Sequence, residues 1–201
     1  MGPPIFIGQP GATVTGVVAF WVLFAVWVLT ETWLGWRRQL PEGVPARDRG
    51  SRWLLIAAVW TGVAVGIGLA LLAPAAAFTH GRDAILALGL ALVLAGLLLR
   101  WYAIRVLGGS FTCTVATRAG QRVVDSGPYR WVRHPSYTGG LLTVLGVLVC
   151  CANPLSLIAL ILPVAGYAYR IHVEEEALTN SLGDAYRAYM RRTRRLVPFV
   201  V

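Results

Sequence analysis

The stretch that decides the fold is residues 136–169, SYTGGLLTVLGVLVCCANPLSLIALILPVAGYAY, which contains no charged side chain. A bilayer core of roughly 30 Å is crossed by about 20 helical residues, so this run is too long for one span and too short for two generous ones. Its interior holds Asn153-Pro154, a pair that favours a turn. The stretch therefore predicts two antiparallel membrane helices joined as a tight helical hairpin.

Three further uncharged runs precede the hairpin, at residues 11–30, 53–78 and 84–99, and we interpret each as one membrane helix. Pro74 marks the expected exit of the second helix. Hydrophobic residues make up 57% of the chain and charged residues 13%, which exceeds the apolar share of a soluble globule. The prediction is an all-α integral membrane protein with five transmembrane helices, the last two forming the hairpin.

The basic residues indicate the orientation. All 18 are arginines; five lie between the first two runs, four lie at residues 118–133, and six lie from Arg170 onward, whereas only Arg82 falls on the opposite face. Arginine-rich connections are typical of the cytoplasmic side. We therefore expect the amino terminus outside and the carboxyl terminus in the cytoplasm, in a multi-pass protein of a bacterial inner membrane. The amino terminus lacks the basic region of a signal peptide, so the first run is expected to remain in the mature protein.

Composition also excludes several classes of function. The net charge of +9 is spread between apolar runs and forms no single patch, which argues against a nucleic-acid partner. Cys113, Cys150 and Cys151 have no spacing that indicates a disulfide framework or a zinc site. We predict no metal. The chain divides into residues 1–104, three membrane helices with a basic loop, and residues 105–201, one unit with a long loop, the hairpin and carboxyl-terminal helices.

The first segment with chemical potential is residues 126–140, SGPYRWVRHPSYTGG, at one end of the hairpin. Glycines allow a ligand to approach the backbone closely, and a helix that begins near Pro135 presents amide donors to a carboxylate. The alternative is an interfacial belt of aromatic and arginine side chains, which membrane helices commonly have. Composition leaves both interpretations open.

The second segment is residues 170–176, RIHVEEE, at the other end of the hairpin. Three carboxylates beside hydrocarbon predict a cationic partner. Arg170 and Glu174 are four residues apart and could pair with each other, but one arginine cannot neutralise three carboxylates. Tyr137 and Arg170 each lie 16 residues from the predicted turn, so the two segments should meet at one depth.

The third segment is residues 184–195, which contains five arginines and two tyrosines after Gly183. A basic amphipathic helix beside a membrane is typical of a contact with anionic lipids. We therefore expect membrane lipids as a partner of this segment.

With these residues identified, the chain resembles the isoprenylcysteine carboxyl methyltransferase family, membrane enzymes that use S-adenosyl-L-methionine. The resemblance covers residues 105–201 and lies in two linked blocks. The first block comprises Leu107-Gly108, Ser110-Phe111-Thr112, Gly127-x-Tyr129 and Arg133-His134-Pro135-Ser136-Tyr137-x-Gly139. The second comprises Arg170, Glu174-Glu175, Leu178, Gly183, Tyr186, Tyr189 and Pro198-Phe199. Phospholipid N-methyltransferases, thiol S-methyltransferases and the longer sterol C14 reductases share parts of this pattern.

The resemblance implies a methyltransferase whose acceptor is the carboxylate of a lipophilic, isoprenylcysteine-like molecule at the cytoplasmic face, with S-adenosyl-L-methionine as cofactor and a cytoplasmic helical cofactor region after the hairpin. Arg170 and Glu174 are the implied catalytic residues, and Arg170 also binds the substrate. The implied cofactor-binding residues are Gln121, Arg122, Val123, Val124, Tyr129, His134, Pro135, Ser136, Tyr137, Glu174 and Glu175.

Two other interpretations stay open at this point. A lipid amine or a small thiol could be the methyl acceptor, and such an acceptor would not need a cation beside it. A non-enzymatic membrane scaffold or a small transporter is the alternative from another class. A transporter predicts charge at mid-membrane, whereas the charged residues of this chain collect at one face. The sequence leaves the oligomeric state open.

Overall fold

The computed structural model describes residues 14–37, 48–110 and 123–197, and most of these residues are helical. The α-helices are α1 (Val14–Arg37), α2 (Ser51–Leu72), α3 (Arg82–Leu107), α4 (Pro135–Cys150), α5 (Ile161–Leu182) and α6 (Asp184–Arg192). Short 3₁₀ segments occupy Pro74–Ala76, Gly108–Ser110, Gly127–Arg130 and Pro154–Leu160. Within the described ranges the extended pairing consists of one parallel bridge, between Val132 and Arg194. The all-α prediction is confirmed.

Four helical stretches are long and apolar enough to cross a membrane. They are α1, α2, α3 and the continuous stretch Pro154–Leu182 that includes α5. With 16 residues, α4 is a shorter apolar helix of about 24 Å, against a hydrocarbon thickness of roughly 30 Å. The architecture is that of a multi-pass membrane protein, and the predicted number of five spans depends on α4.

Two helices extend beyond the uncharged runs that predicted them. α1 continues past Glu31 to Arg37, and α3 continues past Arg100 to Leu107. Arg100 donates from Nε to Glu31 Oε1 at 2.5 Å and from Nη2 to Glu31 Oε2 at 2.7 Å. Glu and Arg are good helix formers, so neither residue ends its helix, and each charge neutralises the other. The pair also joins the corresponding ends of α1 and α3.

The turn of the hairpin lies where the sequence predicts it. α4 ends at Cys150, and the next helical segment begins at Pro154. Asn153 Oδ1 accepts from the backbone of Leu155 at 3.0 Å, and Asn153 Nδ2 donates to the carbonyl of Ala73 at 2.9 Å. Away from the turn, however, the two arms of the hairpin separate. The arm α4 packs most extensively against α3, and the arm α5 packs against α2. The two arms therefore pack mainly on earlier helices.

Glycines allow the close approach of α3 and α4. Gly89 and Gly96 of α3 face Gly146 and Gly139 of α4, with a spacing of seven residues on each helix. A Cβ added at Gly139 would lie 2.6 Å from the carbonyl oxygen of Gly96 and 2.7 Å from the backbone nitrogen of Arg100. Small residues of this kind allow two membrane helices to pack backbone to backbone.

We expect Gly139→Ala to lower the free energy of unfolding by about 1–3 kcal/mol, because the added methyl group would overlap the backbone of α3. Gly68→Ala on α2 is the matched control, since nothing lies within 4 Å of a Cβ added at that position. Unfolding in detergent, followed by circular dichroism, measures both variants. Equal stability of the two would contradict the glycine packing.

Candidate functional site

The predicted site residues meet where the beginning of α4 approaches the middle of α5. The Nε of Arg170 donates to the hydroxyl of Tyr137 at 3.2 Å. This hydrogen bond joins the two residues that lie equally far from the turn of the hairpin. The prediction that the two segments meet at one depth is confirmed.

Tyr137 is the centre of this group. Its hydroxyl donates to Oε2 of Glu174 at 2.5 Å while accepting from Arg170. The ring of His134 stacks on the ring of Tyr137, with centroids 5.4 Å apart and planes 5° from parallel. His134 Nδ1 lies 3.9 Å from the same oxygen of Glu174. His134, Tyr137, Arg170 and Glu174 thus form one contiguous group.

Arg170 is buried, and it makes its described ion pair with Asp48 rather than with Glu174. Its Nη1 donates to the carboxylate of Asp48 and, at 2.7 Å, to the hydroxyl of Ser51 at the start of α2. Arg170 and Glu174 are linked through the hydroxyl of Tyr137. We name Asp48, Ser51, Tyr137, Arg170 and Glu174 the Arg170 cluster.

Glu175 is buried among cations of the protein itself. Its Oε1 accepts from Arg133 Nε at 2.7 Å and lies 3.3 Å from His134 Nε2. Its Oε2 accepts from Arg195 at 3.1 Å. Both oxygens of this carboxylate are therefore occupied by contacts within the chain.

The other two glutamates have different surroundings. Glu176 forms a bidentate pair with the exposed Arg49, with both distances 2.8 Å. Glu174 has a side chain that is 29% exposed. Among the residues that the structure describes, its contacts are with Tyr137 and His134, and no arginine lies within ion-pair distance. Among the described residues, Glu174 is therefore the one of these three carboxylates without an arginine ion pair, and the charge of Arg170 acts on it through space.

The carboxyl-terminal segment holds the start of α4 in place. The backbone nitrogens of Arg133 and His134 donate to the carbonyls of Arg194 and Arg195, at 2.7 and 3.0 Å. The hydroxyl of Thr138 donates to the carbonyl of residue 196 at 2.7 Å. Hydrogen bonds to residues 194–196, which follow α6, therefore fix the chain on both sides of the beginning of α4.

α6 adds a second constraint on this region. The buried hydroxyl of Tyr189 donates to the carbonyl of Tyr129 at 2.7 Å. A phenol is protonated at neutral pH, and burial raises the pKa of Tyr189 further, so its hydroxyl is a stable donor. The helix that we expected to contact lipids thus also positions the segment before α4.

The remaining predicted site residues lie around the cluster. Tyr129 is buried in its 3₁₀ turn, and the carbonyl and hydroxyl oxygens of Ser136 accept from Arg100 Nη1 at 3.2 and 3.4 Å. Val123 and Val124 lie half-buried in the irregular segment that precedes the turn. Gln121 and Arg122 lie outside the described residues.

A cavity of about 420 Å³ lies beside the first turn of α4, at the end of α3. Its lining is largely apolar and consists of Leu99, Tyr102, Gly127, Pro128, Arg130, Trp131, Val132, Pro135, Thr138 and Leu196. Among the predicted site residues that the structure describes, Pro135 is the one that lines it. Its volume falls within the roughly 300–1,000 Å³ of small-molecule sites, and its walls suit hydrocarbon better than a zwitterion.

Sequence reasoning missed several residues that organise this region. Arg133 stands within the first quoted segment, beside His134, but its pairing with Glu175 had no local signal. Asp48 and Arg170 are 122 positions apart. The sequence did contain a signal for the ion pair of Glu31 and Arg100. Each residue directly follows an apolar run, and the two runs are predicted to cross the membrane in the same direction, so both residues lie at the same face.

The fold and the site define a class of protein, an α-helical membrane protein whose charged residues gather where several helices end. Residues 87–180 match the model of the isoprenylcysteine carboxyl methyltransferase (ICMT) family. This match confirms the resemblance that the two sequence blocks indicated.

Individual relatives agree with the family match. Protein-S-isoprenylcysteine O-methyltransferase B of Arabidopsis thaliana is 38% identical over 115 residues, covering 56% of this chain and 58% of the relative. The protein-S-isoprenylcysteine O-methyltransferase of Saccharomyces cerevisiae is 34% identical over 116 residues, covering 56% and 48%. The matched part thus spans about half the length of these relatives.

A solved structure shares the fold over nearly the whole chain. The eukaryotic intramembrane Ras methyltransferase ICMT superposes with a TM-score of 0.62 at 22% sequence identity. The superposition covers 98% of this chain and 70% of that chain. The likeness establishes the helical architecture, including the helices that precede the region matched by the family.

We expect Glu175→Gln to destabilise the fold by about 3 kcal/mol, since removing one charge of a buried ion pair costs about 3–5 kcal/mol and the amide retains some of the hydrogen bonds. Glu176→Gln is the control, because its partner Arg49 is exposed and a surface pair contributes about 0–1 kcal/mol. Thermal unfolding in detergent at neutral pH distinguishes them. A smaller loss for Glu175→Gln than for the control would contradict the buried network.

Proposed function

We propose that this protein is an S-adenosyl-L-methionine-dependent methyltransferase whose acceptor is the carboxylate of a lipophilic, isoprenylcysteine-like molecule. The observation that carries the proposal is the pairing of the three glutamates. Glu175 and Glu176 are ion-paired with arginines, whereas Glu174 is partly exposed beside Tyr137 and Arg170. A carboxylate in that position suits a cationic ligand next to a group that binds an anion.

The residues around Glu174 fit the cofactor chemically. S-adenosyl-L-methionine carries an ammonium group, a carboxylate and a sulfonium, and when bound it supplies an electrophilic methyl group. In our proposal Glu174 binds the ammonium. The backbone nitrogens of Arg133, His134, Tyr137 and Thr138 donate to carbonyls within the chain and residue 135 is a proline, so the backbone nitrogen of Ser136 is the donor at the start of α4 that we assign to the carboxylate. His134 and Glu175 act as positioning residues, because His134 lies between the two glutamates and Glu175 is held by Arg133.

Arg170 is proposed to bind the acceptor. A carboxylate is already ionised at neutral pH, so its methylation needs orientation and the exclusion of water rather than a general base. A guanidinium has five N–H donors in a planar fork, which lets Arg170 hold protein groups and a substrate carboxylate at once. The apolar cavity between the ends of α3 and α4 suits the lipid tail, which would enter sideways from the bilayer.

One observation favours the second candidate, methylation of a lipid amine or a small thiol. Asp48 neutralises Arg170, so the pair has no net charge with which to attract an anionic acceptor. A neutral nucleophile would tolerate that arrangement. The family match favours the carboxylate, and a scan of acceptors distinguishes the two.

The proposed orientation has five spans, with the beginning of α1 outside and α6 in the cytoplasm. The ion pairs of Glu31, Asp48 and Glu175 all lie at the helix ends that would then face the cytoplasm. The exposed arginines of α6 and the following segment would contact anionic headgroups.

We expect Glu174→Gln to weaken binding of S-adenosyl-L-methionine by about 1.5–3 kcal/mol, the contribution of a hydrogen bond to a charged group. Calorimetric titration of the purified protein in detergent gives the affinity, and Glu176→Gln is the control that should leave it unchanged. Lipid acids, amines and thiols are then compared as methyl acceptors. Unchanged affinity in a folded Glu174→Gln protein would overturn the cofactor site. Turnover of amines or thiols with inert lipid acids would overturn only the choice of acceptor.

Reporter fusions test the orientation. A reporter inserted after Ala152, in the turn before Pro154, should lie outside the cytoplasm, and a reporter after Val201 should lie inside it. Activity of a cytoplasmic reporter and of a periplasmic reporter at each position gives the two compartments. The same compartment for both positions would show that α4 and α5 do not cross as separate spans.

A further inference from the structure

Asp48 lies outside residues 87–180, the part of the chain that matches the family, and yet it contacts the centre of the candidate site. Its carboxylate is buried. Oδ1 accepts from Arg170 and from the hydroxyl of Ser51, the latter at 3.2 Å, and Oδ2 accepts from the backbone nitrogen of Arg52 at 3.0 Å. These bonds attach the carboxylate to the first turn of α2.

This arrangement makes Asp48 a fixed support rather than a mobile counter-ion. The backbone nitrogen of Ser51 also donates to the carbonyl of Asp48 at 2.8 Å. Asp48 fixes the buried guanidinium of Arg170 relative to α2. The Nε of Arg170 meanwhile donates to the hydroxyl of Tyr137. A continuous series of hydrogen bonds therefore runs from α2 through Arg170 and Tyr137 to Glu174.

We propose that Asp48 is a positioning residue that orients Arg170 for the acceptor and, by offsetting its charge, keeps an anionic acceptor from binding too tightly. The inference rests on the proposed function and adds to it a residue that the family match does not cover. The two roles of Asp48 affect different kinetic constants. Orienting Arg170 affects kcat, whereas offsetting the charge of Arg170 affects KM for an acid.

Asp48→Asn tests both effects. The carboxylate uses two acceptor oxygens, one for Arg170 and Ser51 and one for the nitrogen of Arg52. An amide has one acceptor oxygen, so one of these donors would face an N–H₂ group. We expect kcat with a lipid acid to fall about 10- to 100-fold, the scale of a displaced catalytic group, while KM for the acid does not rise.

Matched variants show whether the effect belongs to the site. Affinity for S-adenosyl-L-methionine should stay within about twofold, because Glu174 keeps its contact with Tyr137. Asp125→Asn is the control, since Asp125 pairs with Arg192 at the surface, and its kinetics should equal those of the wild type. Arg170→Lys keeps the charge but loses the fork, so both kcat and the affinity for the acid should decline.

Ser51→Ala provides a second measurement if Asp48→Asn does not fold. It removes an uncharged acceptor of Arg170 and leaves the ion pair intact, so we expect a smaller decline in kcat, about threefold to tenfold. An unchanged kcat in Asp48→Asn, a parallel loss of cofactor affinity, or an unchanged kcat in Ser51→Ala would overturn the positioning role. Absence of methyl transfer by the wild type with every acceptor would overturn the proposed function, and the role of Asp48 with it.

Discussion

A charged side chain held against hydrocarbon needs a partner, and three buried or half-buried arginines of this protein find theirs on distant segments. Arg100 of α3 pairs with Glu31 of α1, and Arg170 of α5 pairs with Asp48 before α2. Arg133, before α4, pairs with Glu175 of α5. Ion pairs therefore join α1 to α3, and join both α2 and α4 to α5, while the hydrogen bonds from Arg100 to Ser136 connect the two sets.

Such buried ion pairs contribute less to net stability than to selecting one arrangement of the helices. Removing both charges from a buried pair can be neutral, because desolvation offsets much of the attraction, whereas removing one is costly. An arrangement of helices that separated the partners would leave several charges unpaired at once. The glycines of α3 and α4 act in the same direction, since their close approach is available in one register. Charge and shape therefore select the same packing.

The candidate site is centred on Glu174, the carboxylate of residues 174–176 that has no arginine ion pair among the described residues. Arg133 and Arg195 hold Glu175, and Arg49 holds Glu176. Glu174 receives a tyrosine hydroxyl instead of an arginine, in a region already organised by its neighbours. In the function that we propose, this partly exposed carboxylate binds a cationic group of the cofactor, and the neighbouring guanidinium of Arg170 binds the acceptor.

Several features followed from the sequence because they depend on local physics. The length of an uncharged run and the Asn153-Pro154 pair predicted the hairpin, and its symmetry predicted that Tyr137 and Arg170 meet. The two blocks around it predicted the resemblance to the isoprenylcysteine carboxyl methyltransferase family, whose model matches residues 87–180. In each case the relevant residues are close in sequence or are related by one turn.

The tertiary structure decided which charge meets which. Sequence spacing suggested that Arg170 could pair with Glu174, yet the arginine reaches Asp48 and the glutamate reaches Tyr137. It also decided that the arms of the hairpin pack on α3 and α2. Ion pairs between residues more than a hundred positions apart depend on how whole helices pack, and no local pattern specifies that packing.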